Sequence, residues 1–162
     1  NPRVVVVQAI PKSERAELAV DLATQAGADE IIAWQADRCV AKWDAKKAPK
    51  ALAKWEAAAI AAAKQSRRDR IPAVSGPLTT PQVAQLIAGQ TAYVLHEEAT
   101  ASIKDVPLEG TVYLLVGPEG GIGAEELERL GAQSIKLGPE VLRTASAAMV
   151  ALAAIGTRTD RW

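Results

Sequence analysis

A short apolar run that stops in a glycine-rich turn constrains the fold of this chain more than any other feature. Leu-Leu-Val at residues 114–116 is followed by Gly-Pro-Glu-Gly-Gly at 117–121, and a helix is predicted from about Ala124. Glycine has no Cβ and adopts positive φ freely, so such a turn lets the backbone approach a ligand closely. In open α/β sheets, ligands bind beyond the carboxyl ends of strands. The run predicts a buried strand with a binding site at its end, although the same turn also serves as a plain strand-to-helix connection.

A second element of this type follows at residues 137–145. Another predicted strand ends there in Leu137-Gly138-Pro139, and an alanine-rich helix begins with Arg143 in its first turn. Two glycine-bearing turns at strand ends strengthen the prediction of a site that several loops form together.

Apolar runs and helical patterns alternate along the chain. Strands are predicted at residues 4–7, 30–34, 91–95, 111–116 and 134–137. Helices are predicted at residues 13–26 with Ser13 as the cap, 50–65, 80–88, 123–130 and 143–157. This alternation predicts an α/β fold that has a mostly parallel sheet with helices on both faces.

The charge is balanced overall but unevenly distributed. The 162 residues carry 19 Lys and Arg against 19 Asp and Glu, yet residues 38–70 hold ten of the basic and only three of the acidic ones. A solvated helix face is one interpretation of this segment. The other is a patch that contacts the phosphates of a nucleic acid.

The composition excludes several classes of function. Cys39 is the only cysteine and His96 the only histidine, so neither an internal disulfide nor a Cys/His metal site is expected. No apolar run is long enough to cross a bilayer, and no signal peptide is recognisable, so we expect a cytoplasmic protein. The chain starts without a methionine, at Asn1, and we expect it to be part of a longer protein.

The last predicted helix is rich in alanine and other small residues, which allow close packing. Its alanines belong either to the core or to a subunit interface, with Met149 and Leu152 as the large residues of that interface.

Several motifs together resemble the SPOUT class of methyltransferases and, within it, the RsmE family of 16S rRNA uracil-N3 methyltransferases. The turn at 117–121 and the segment from Leu137-Gly138-Pro139 to Leu142-Arg143-Thr144 are similar to the two strongest motifs of that family, in the same order. Residues 12–17 (Lys-Ser-Glu-Arg-Ala-Glu) resemble the start of its first helix. Trp55 and the residues at 65–72 resemble its middle helix and the following turn.

The resemblance implies a C-terminal trefoil knot and S-adenosylmethionine as the methyl donor, held by three loops without a metal. It implies a homodimer that acts on 16S rRNA of the small ribosomal subunit, with no membrane partner. It also implies a barrel-like, PUA-like RNA-binding domain that precedes residues 1–162 in the full protein. The expected donor-binding residues are Leu95, His96, Val116, Gly117, Pro118, Glu119, Gly120, Gly121, Leu137, Gly138, Leu142 and Thr144.

Arg143 is the expected catalytic residue, because a charged, planar donor can stabilise a uracil that has lost its N3 proton. A salt bridge to Glu119 or Glu140 is the alternative for this side chain. Glu119 either supports the loop or accepts the proton.

The expected RNA contacts are Arg38, Lys42, Arg67, Arg68 and Arg70. Trp43 either packs in the protein or stacks on a base.

Some residues depart from the family pattern. Ala145 stands where the family usually has a glutamate, and Arg67 stands where it usually has a glycine. We interpret these changes as drift within an active subfamily. Two other functions stay open, a ribose 2′-O-methyltransferase of the same class and a catalytically silent RNA-binding assembly factor.

Overall fold

The computed structural model describes residues 1–162 except for the side chains of residues 13 and 14. Six strands and five helices follow one another in these described residues, and they alternate except that β5 follows β4 without a helix between them. They are β1 (Arg3–Ala9), α1 (Ser13–Gln25), β2 (Glu30–Gln35), α2 (Ala48–Gln65), β3 (Ala73–Thr79), α3 (Thr80–Ile87), β4 (Thr91–Leu95), β5 (Thr111–Val116), α4 (Ala124–Leu130), β6 (Gln133–Ile135) and α5 (Thr144–Arg158). The predicted cap at Ser13 concerns a side chain outside the described ones.

The strands form a single sheet in the order β3-β2-β1-β5-β4-β6. Every pairing between neighbours is parallel. The predicted α/β fold with a parallel sheet is therefore confirmed. From β1 the chain adds β2 and then β3 on one side of the sheet. It then crosses to the other side, where β5 lies between β1 and β4 and β6 forms the edge. Such a reversal is where open α/β sheets bind ligands, beyond the carboxyl ends of the strands.

The helices cover both faces of the sheet, as the alternation of side chains along a strand shows. Gln8 on β1 donates a hydrogen bond to Thr144 at the start of α5. Trp34 on β2 pairs with Ala9, the next residue of β1, and donates to Thr80 at the start of α3. Neighbouring β1 positions thus face α5 on one side and α3 on the other. Helix α1 packs between α2 and α5, whereas α3 packs against α4.

Strand β3 has no counterpart among the strands predicted from the sequence. Its sequence Ala-Val-Ser-Gly-Pro-Leu-Thr interrupts the apolar pattern with Gly76 and Pro77. Proline is tolerated in a sheet at an edge, and β3 is an edge strand. Gly76 has a φ of 110°, and a Cβ there would lie 2.6 Å from the carbonyl oxygen of Ala33. Gly76 interrupts the apolar pattern and so prevented the prediction of this strand. The same glycine allows β3 to pack beside β2, because it has no Cβ.

Helix α5 begins one residue later than predicted, at Thr144, and leaves Arg143 at the N-cap position. Most of its small residues are buried against the same chain. Leu152 is 0% exposed, so the prediction that it faces a second subunit is wrong. Near the end of α5, Arg158 donates hydrogen bonds to the carbonyls of Ile103 and Val106, in the connection between β4 and β5. The trefoil knot stays a prediction with which the strand order is compatible.

No helix among the described residues combines the length and apolarity needed to cross a membrane.

Candidate functional site

A cavity of about 490 Å³ lies beyond the carboxyl ends of β4, β5 and β6, between the first turns of α1 and α5. Its volume falls within the range of small-molecule binding sites. The cavity lies beside the reversal of strand order, where this class of sheet binds ligands. Its lining consists of Lys12, Arg15, Leu95, His96, Glu97, Val116, Gly117, Pro118, Glu119, Gly121, Ile122, Lys136, Leu137, Gly138, Glu140, Val141, Leu142, Arg143, Thr144 and Ala147.

The three loops expected to hold a donor meet at this cavity. All of the expected donor-binding residues line it except Gly120. A Cβ on Gly120 would lie 3.3 Å from both the Cβ and the carbonyl oxygen of Arg38, so this glycine faces the connection after β2. The close packing inside the turn occurs at Gly117, where a Cβ would lie 2.7 Å from Ile122 Cγ1. Gly120 is therefore not among the residues that line the cavity, and its contact with the ligand stays a prediction.

A small hydrogen-bond network joins the two motif segments, the glycine turn at 117–121 and the segment that ends at Thr144. The Thr144 hydroxyl donates to the carbonyl oxygen of Gly117 and accepts a hydrogen bond from Gln8 Nε2 at 3.2 Å. Gln8 and Thr144 are both buried. Because buried hydrogen bonds of this kind are costly to break, the network fixes the start of α5 against the glycine turn.

Arg143 is exposed and lies at the rim of the cavity. Its backbone carbonyl accepts hydrogen bonds from the N–H groups of Ser146 and Ala147 and so begins helix α5. The expected alternative was an ion pair with Glu119 or Glu140. Among the described side chains, Arg143 forms no ion pair with either of them. Arg143 therefore lines the cavity next to the N-terminus of α5, where the helix dipole adds partial positive charge.

Glu119 connects the glycine turn to the start of α1. Its Oε2 accepts a hydrogen bond of 3.1 Å from the backbone N–H of Lys12. This contact favours loop support over proton transfer, the two roles expected from the sequence. Both residues line the cavity, so the contact also sets the position of one wall.

Lys12 and Arg15 line the cavity although the sequence analysis assigned them no role. They lie there because α1 follows β1, whose carboxyl end is at the same edge of the sheet as β5. The Lys-Ser-Glu-Arg segment was the signal that could have identified them. Lys136, directly after β6, is a further cation of the lining.

The five expected RNA contacts do not form one patch. Arg38 and Lys42 lie in the connection after β2, at the same edge of the sheet as the cavity. Arg67, Arg68 and Arg70 follow the far end of α2, a helix of 18 residues and therefore roughly 27 Å long.

Arg68 also has a structural role. It is half-buried and donates a hydrogen bond of 3.0 Å to the carbonyl of Thr24. Burial lowers the pKa of this guanidinium. The positive charge of Arg161 lowers it further, whereas the negative charge of Asp29 raises it. Arg68 therefore lies far from Arg38 along the molecule, and its contact with RNA stays a prediction.

His96 and Trp43 have defined local partners. His96 lines the cavity, and its Nδ1 accepts a hydrogen bond of 3.3 Å from the backbone N–H of Glu98. Trp43 forms an edge-to-face pair with the buried Trp55, with ring centroids 5.1 Å apart. This contact supports packing as the role of Trp43. Among the described residues, no group of three or more His, Cys, Asp or Glu is arranged to hold a metal ion.

Comparison with known proteins identifies the family of the chain. Residues 1–156 match the model of the RNA methyltransferase domain. The ribosomal RNA small subunit methyltransferase E of Mycobacterium bovis is 54% identical over 172 aligned positions, which cover 100% of this chain and 66% of that protein. The protein of the same name from Bacillus subtilis is 33% identical, over 98% of this chain and 67% of its own length.

A solved structure shows the same architecture. A methyltransferase of Legionella pneumophila in complex with the cofactor SAM superposes with a TM-score of 0.90 at 30% identity, over 97% of this chain and 66% of that one. The chain therefore spans about two thirds of the length of these proteins. On the family model and the identity to its relatives, the chain belongs to the RNA methyltransferase domain family, and within it to the ribosomal RNA small subunit methyltransferases E.

Proposed function

We propose that this chain is the catalytic part of a cytoplasmic enzyme that transfers a methyl group from S-adenosylmethionine to N3 of a uracil in 16S rRNA. The observation that carries the proposal is the convergence of both glycine turns and Arg143 on one cavity. The family of the chain and the SAM-bound relative support the donor and the class of substrate.

The cavity fits S-adenosylmethionine in size and in chemistry. Its volume of about 490 Å³ suits a ligand of this class. Apolar side chains and backbone groups of the loops offer surface for an adenosine, and charged side chains at the rim suit an amino-acid group. The residues that would hold the donor are Leu95, His96, Val116, Gly117, Pro118, Glu119, Gly121, Leu137, Gly138, Leu142 and Thr144.

When bound, the donor supplies an electrophilic methyl group on a sulfonium ion. The residues of the chain prepare the uracil, whose N3 must lose a proton because the neutral imide is a poor nucleophile. Arg143 stabilises the resulting anion, since its guanidinium is always charged and donates in a planar fork. The unpaired N–H groups in the first turn of α5 add partial positive charge at the same place.

We assign Glu119 to support of the glycine turn, because its Oε2 already accepts the Lys12 N–H. Acceptance of the N3 proton is a second role that its position in the cavity lining permits. The pH dependence of methylation by a Glu119→Gln variant separates the two, because only a proton acceptor would shift the profile.

Cations around the cavity are proposed to contact the phosphates of the RNA. Lys12 and Arg15 line the cavity, and Arg38 and Lys42 lie exposed on the neighbouring connection. We expect a barrel-like domain of the longer protein to supply most of the RNA affinity. The isolated chain should then bind rRNA weakly and with an affinity that falls steeply with salt. Tight, salt-independent binding by the isolated chain would contradict this assignment.

We also propose that the enzyme is a homodimer that uses α5. One face of α5 carries apolar residues that are only partly buried, namely Met149, Val150 and Ala153. Val141, just before the helix, is 75% exposed. An apolar stripe of this kind is typical of an interface. Sedimentation should give a dimer at micromolar concentration, and a monomer would count against the proposal.

Mass mapping of rRNA tests the proposed reaction. The full-length enzyme is incubated with S-adenosylmethionine carrying a labelled methyl group and with small subunits from cells that lack its gene. We expect one labelled nucleoside, N3-methyluridine. A label on a ribose 2′ oxygen would indicate the 2′-O-methyltransferase instead, and absence of label would indicate the silent assembly factor.

A further inference from the structure

A buried carboxylate directly follows the glycine turn. Glu126 lies in the first turn of α4 and is only 1% exposed. Its neighbour Glu125 is exposed, so burial at this position is specific to one of the two glutamates. Buried carboxylates are rare unless hydrogen bonds hold them.

The contacts of Glu126 are concentrated on one oxygen. Its Oε2 accepts a hydrogen bond of 2.7 Å from the Thr80 hydroxyl and one of 2.8 Å from the backbone N–H of Asp37. Thr80 in turn accepts a hydrogen bond of 3.1 Å from Trp34 Nε1. Oε1 is buried without a hydrogen-bond partner among the described atoms. The carboxylate thus joins α4 to α3 and to the connection after β2.

That connection returns to the glycine turn through its next residue. Arg38 Nη1 donates a hydrogen bond of 3.2 Å to the carbonyl of Gly120. A Cβ on Gly123 would lie 3.0 Å from Arg38 Nη2, so the guanidinium lies along the turn up to the start of α4. Asp37 also pairs with Arg129 of α4. Residues 37 and 38 are therefore held by α4 and contact the turn that α4 follows.

We propose that Glu126 is a positioning residue that sets the conformation of the donor turn at 117–123 through the Asp37 backbone and the Arg38 guanidinium. This inference rests on the proposed function, because it takes the turn to hold S-adenosylmethionine. The physical basis is that charge-assisted hydrogen bonds in a buried environment are strong and geometrically specific. It also explains why Gly120 lacks a side chain although it does not border the cavity.

Two variants break this linkage at different points. Glu126→Gln keeps the shape of the side chain but removes its charge. Arg38→Ala removes the contact with Gly120 at an exposed position and leaves the buried carboxylate intact. Glu125→Gln is the matched control, since it changes the exposed glutamate of the same helical turn. Thr80→Val removes the other hydrogen-bond partner of Glu126 Oε2, which lies on α3.

The full-length enzyme and its variants are compared by calorimetry with S-adenosylmethionine in the absence of RNA, by thermal melting and by steady-state kinetics. We expect Glu126→Gln and Arg38→Ala to weaken donor binding roughly 2- to 30-fold, the range of coupling between linked residues. The KM for the donor should rise by the same factor. Glu125→Gln should match the wild type. Thr80→Val removes one of the two hydrogen bonds to the same oxygen, so it should lower the melting temperature and weaken donor binding no more than Glu126→Gln does.

Wild-type donor affinity in both Glu126→Gln and Arg38→Ala would overturn the inference. Equal loss of donor affinity in the control Glu125→Gln would also overturn it, because the effect would then not depend on the buried carboxylate. If Glu126→Gln does not fold, Arg38→Ala decides the question. Failure of the wild-type enzyme to bind S-adenosylmethionine is a different result, which would remove the proposed function itself.

Discussion

The hydroxyl of Thr144 donates a hydrogen bond to the carbonyl oxygen of Gly117, and this single contact joins the helix start of one motif to the glycine turn of the other. The two residues are far apart in the chain but belong to the loops that line the same cavity. Gln8 completes the arrangement by donating to the same hydroxyl. The two motifs therefore form one site because three strand ends meet at one edge of the sheet.

Replacement of Thr144 by valine removes this contact while keeping the volume of the side chain. The half-buried Gly117 carbonyl would then lose this partner, and Gln8 Nε2 would keep only its hydrogen bond to the Ala9 carbonyl, which costs about 1–3 kcal/mol. Denaturant unfolding should show that loss, and donor binding should weaken with it. Thr157→Val, at the exposed end of the same helix, is the control and should change stability little. Unchanged stability of Thr144→Val would contradict the role of the network.

Arg67 has a backbone conformation that is unfavourable for a residue with a side chain, so we expect it to lower the stability of the fold. It has a φ of 59° and follows the C-cap of α2, and its N–H and that of Arg68 donate to Lys64 and Ala63. This pattern favours glycine, because a side chain in the left-handed region is strained. Arg67→Gly should raise the free energy of unfolding by about 0.5–1 kcal/mol, as denaturant titration can measure. Arg70→Gly, three positions beyond the strained residue, should not raise the free energy of unfolding. A destabilised Arg67→Gly variant would refute the explanation.

Asp29 should make the fold sensitive to acid. Burial raises its pKa, but hydrogen bonds from the Val4 N–H and Arg161 outweigh burial and hold that pKa below its ordinary value. A carboxyl with a depressed folded-state pKa contributes stability above its unfolded value, near 3.8, and loses it as the pH falls through the folded pKa. Asp29→Asn should therefore flatten the decline of unfolding free energy between about pH 5 and pH 2. A decline as steep as that of the wild type would contradict this account.

The sequence allowed prediction of features that depend on neighbouring residues. The parallel α/β fold follows from alternating patterns, and the glycine turns and Arg143 stand out because each belongs to a short motif at a strand end. Their convergence on one cavity follows from the general geometry of open sheets.

Other features depend on tertiary placement and could not be predicted in this way. Gly120 lies in the donor turn, yet its missing Cβ faces Arg38, a residue of a different connection. Arg68 belongs to a basic segment, but a long helix carries it to the opposite edge of the sheet, where it binds the carbonyl of Thr24. Glu126 is one of two adjacent glutamates, and only the packing of α3 and of the connection after β2 distinguishes them.

Single-turnover methylation of 16S rRNA by full-length wild-type, Arg143→Ala and Arg143→Lys enzymes, with the product nucleoside identified by mass, tests the central claim most directly. The wild type should form N3-methyluridine. Arg143→Ala should form it roughly 10²–10³ times more slowly, the scale for loss of one oriented anion-stabilising donor, with donor affinity little changed. Arg143→Lys should recover only part of the rate, because the planar fork is lost. An unchanged rate in Arg143→Ala, or a methyl group on any atom other than uracil N3, would contradict the account.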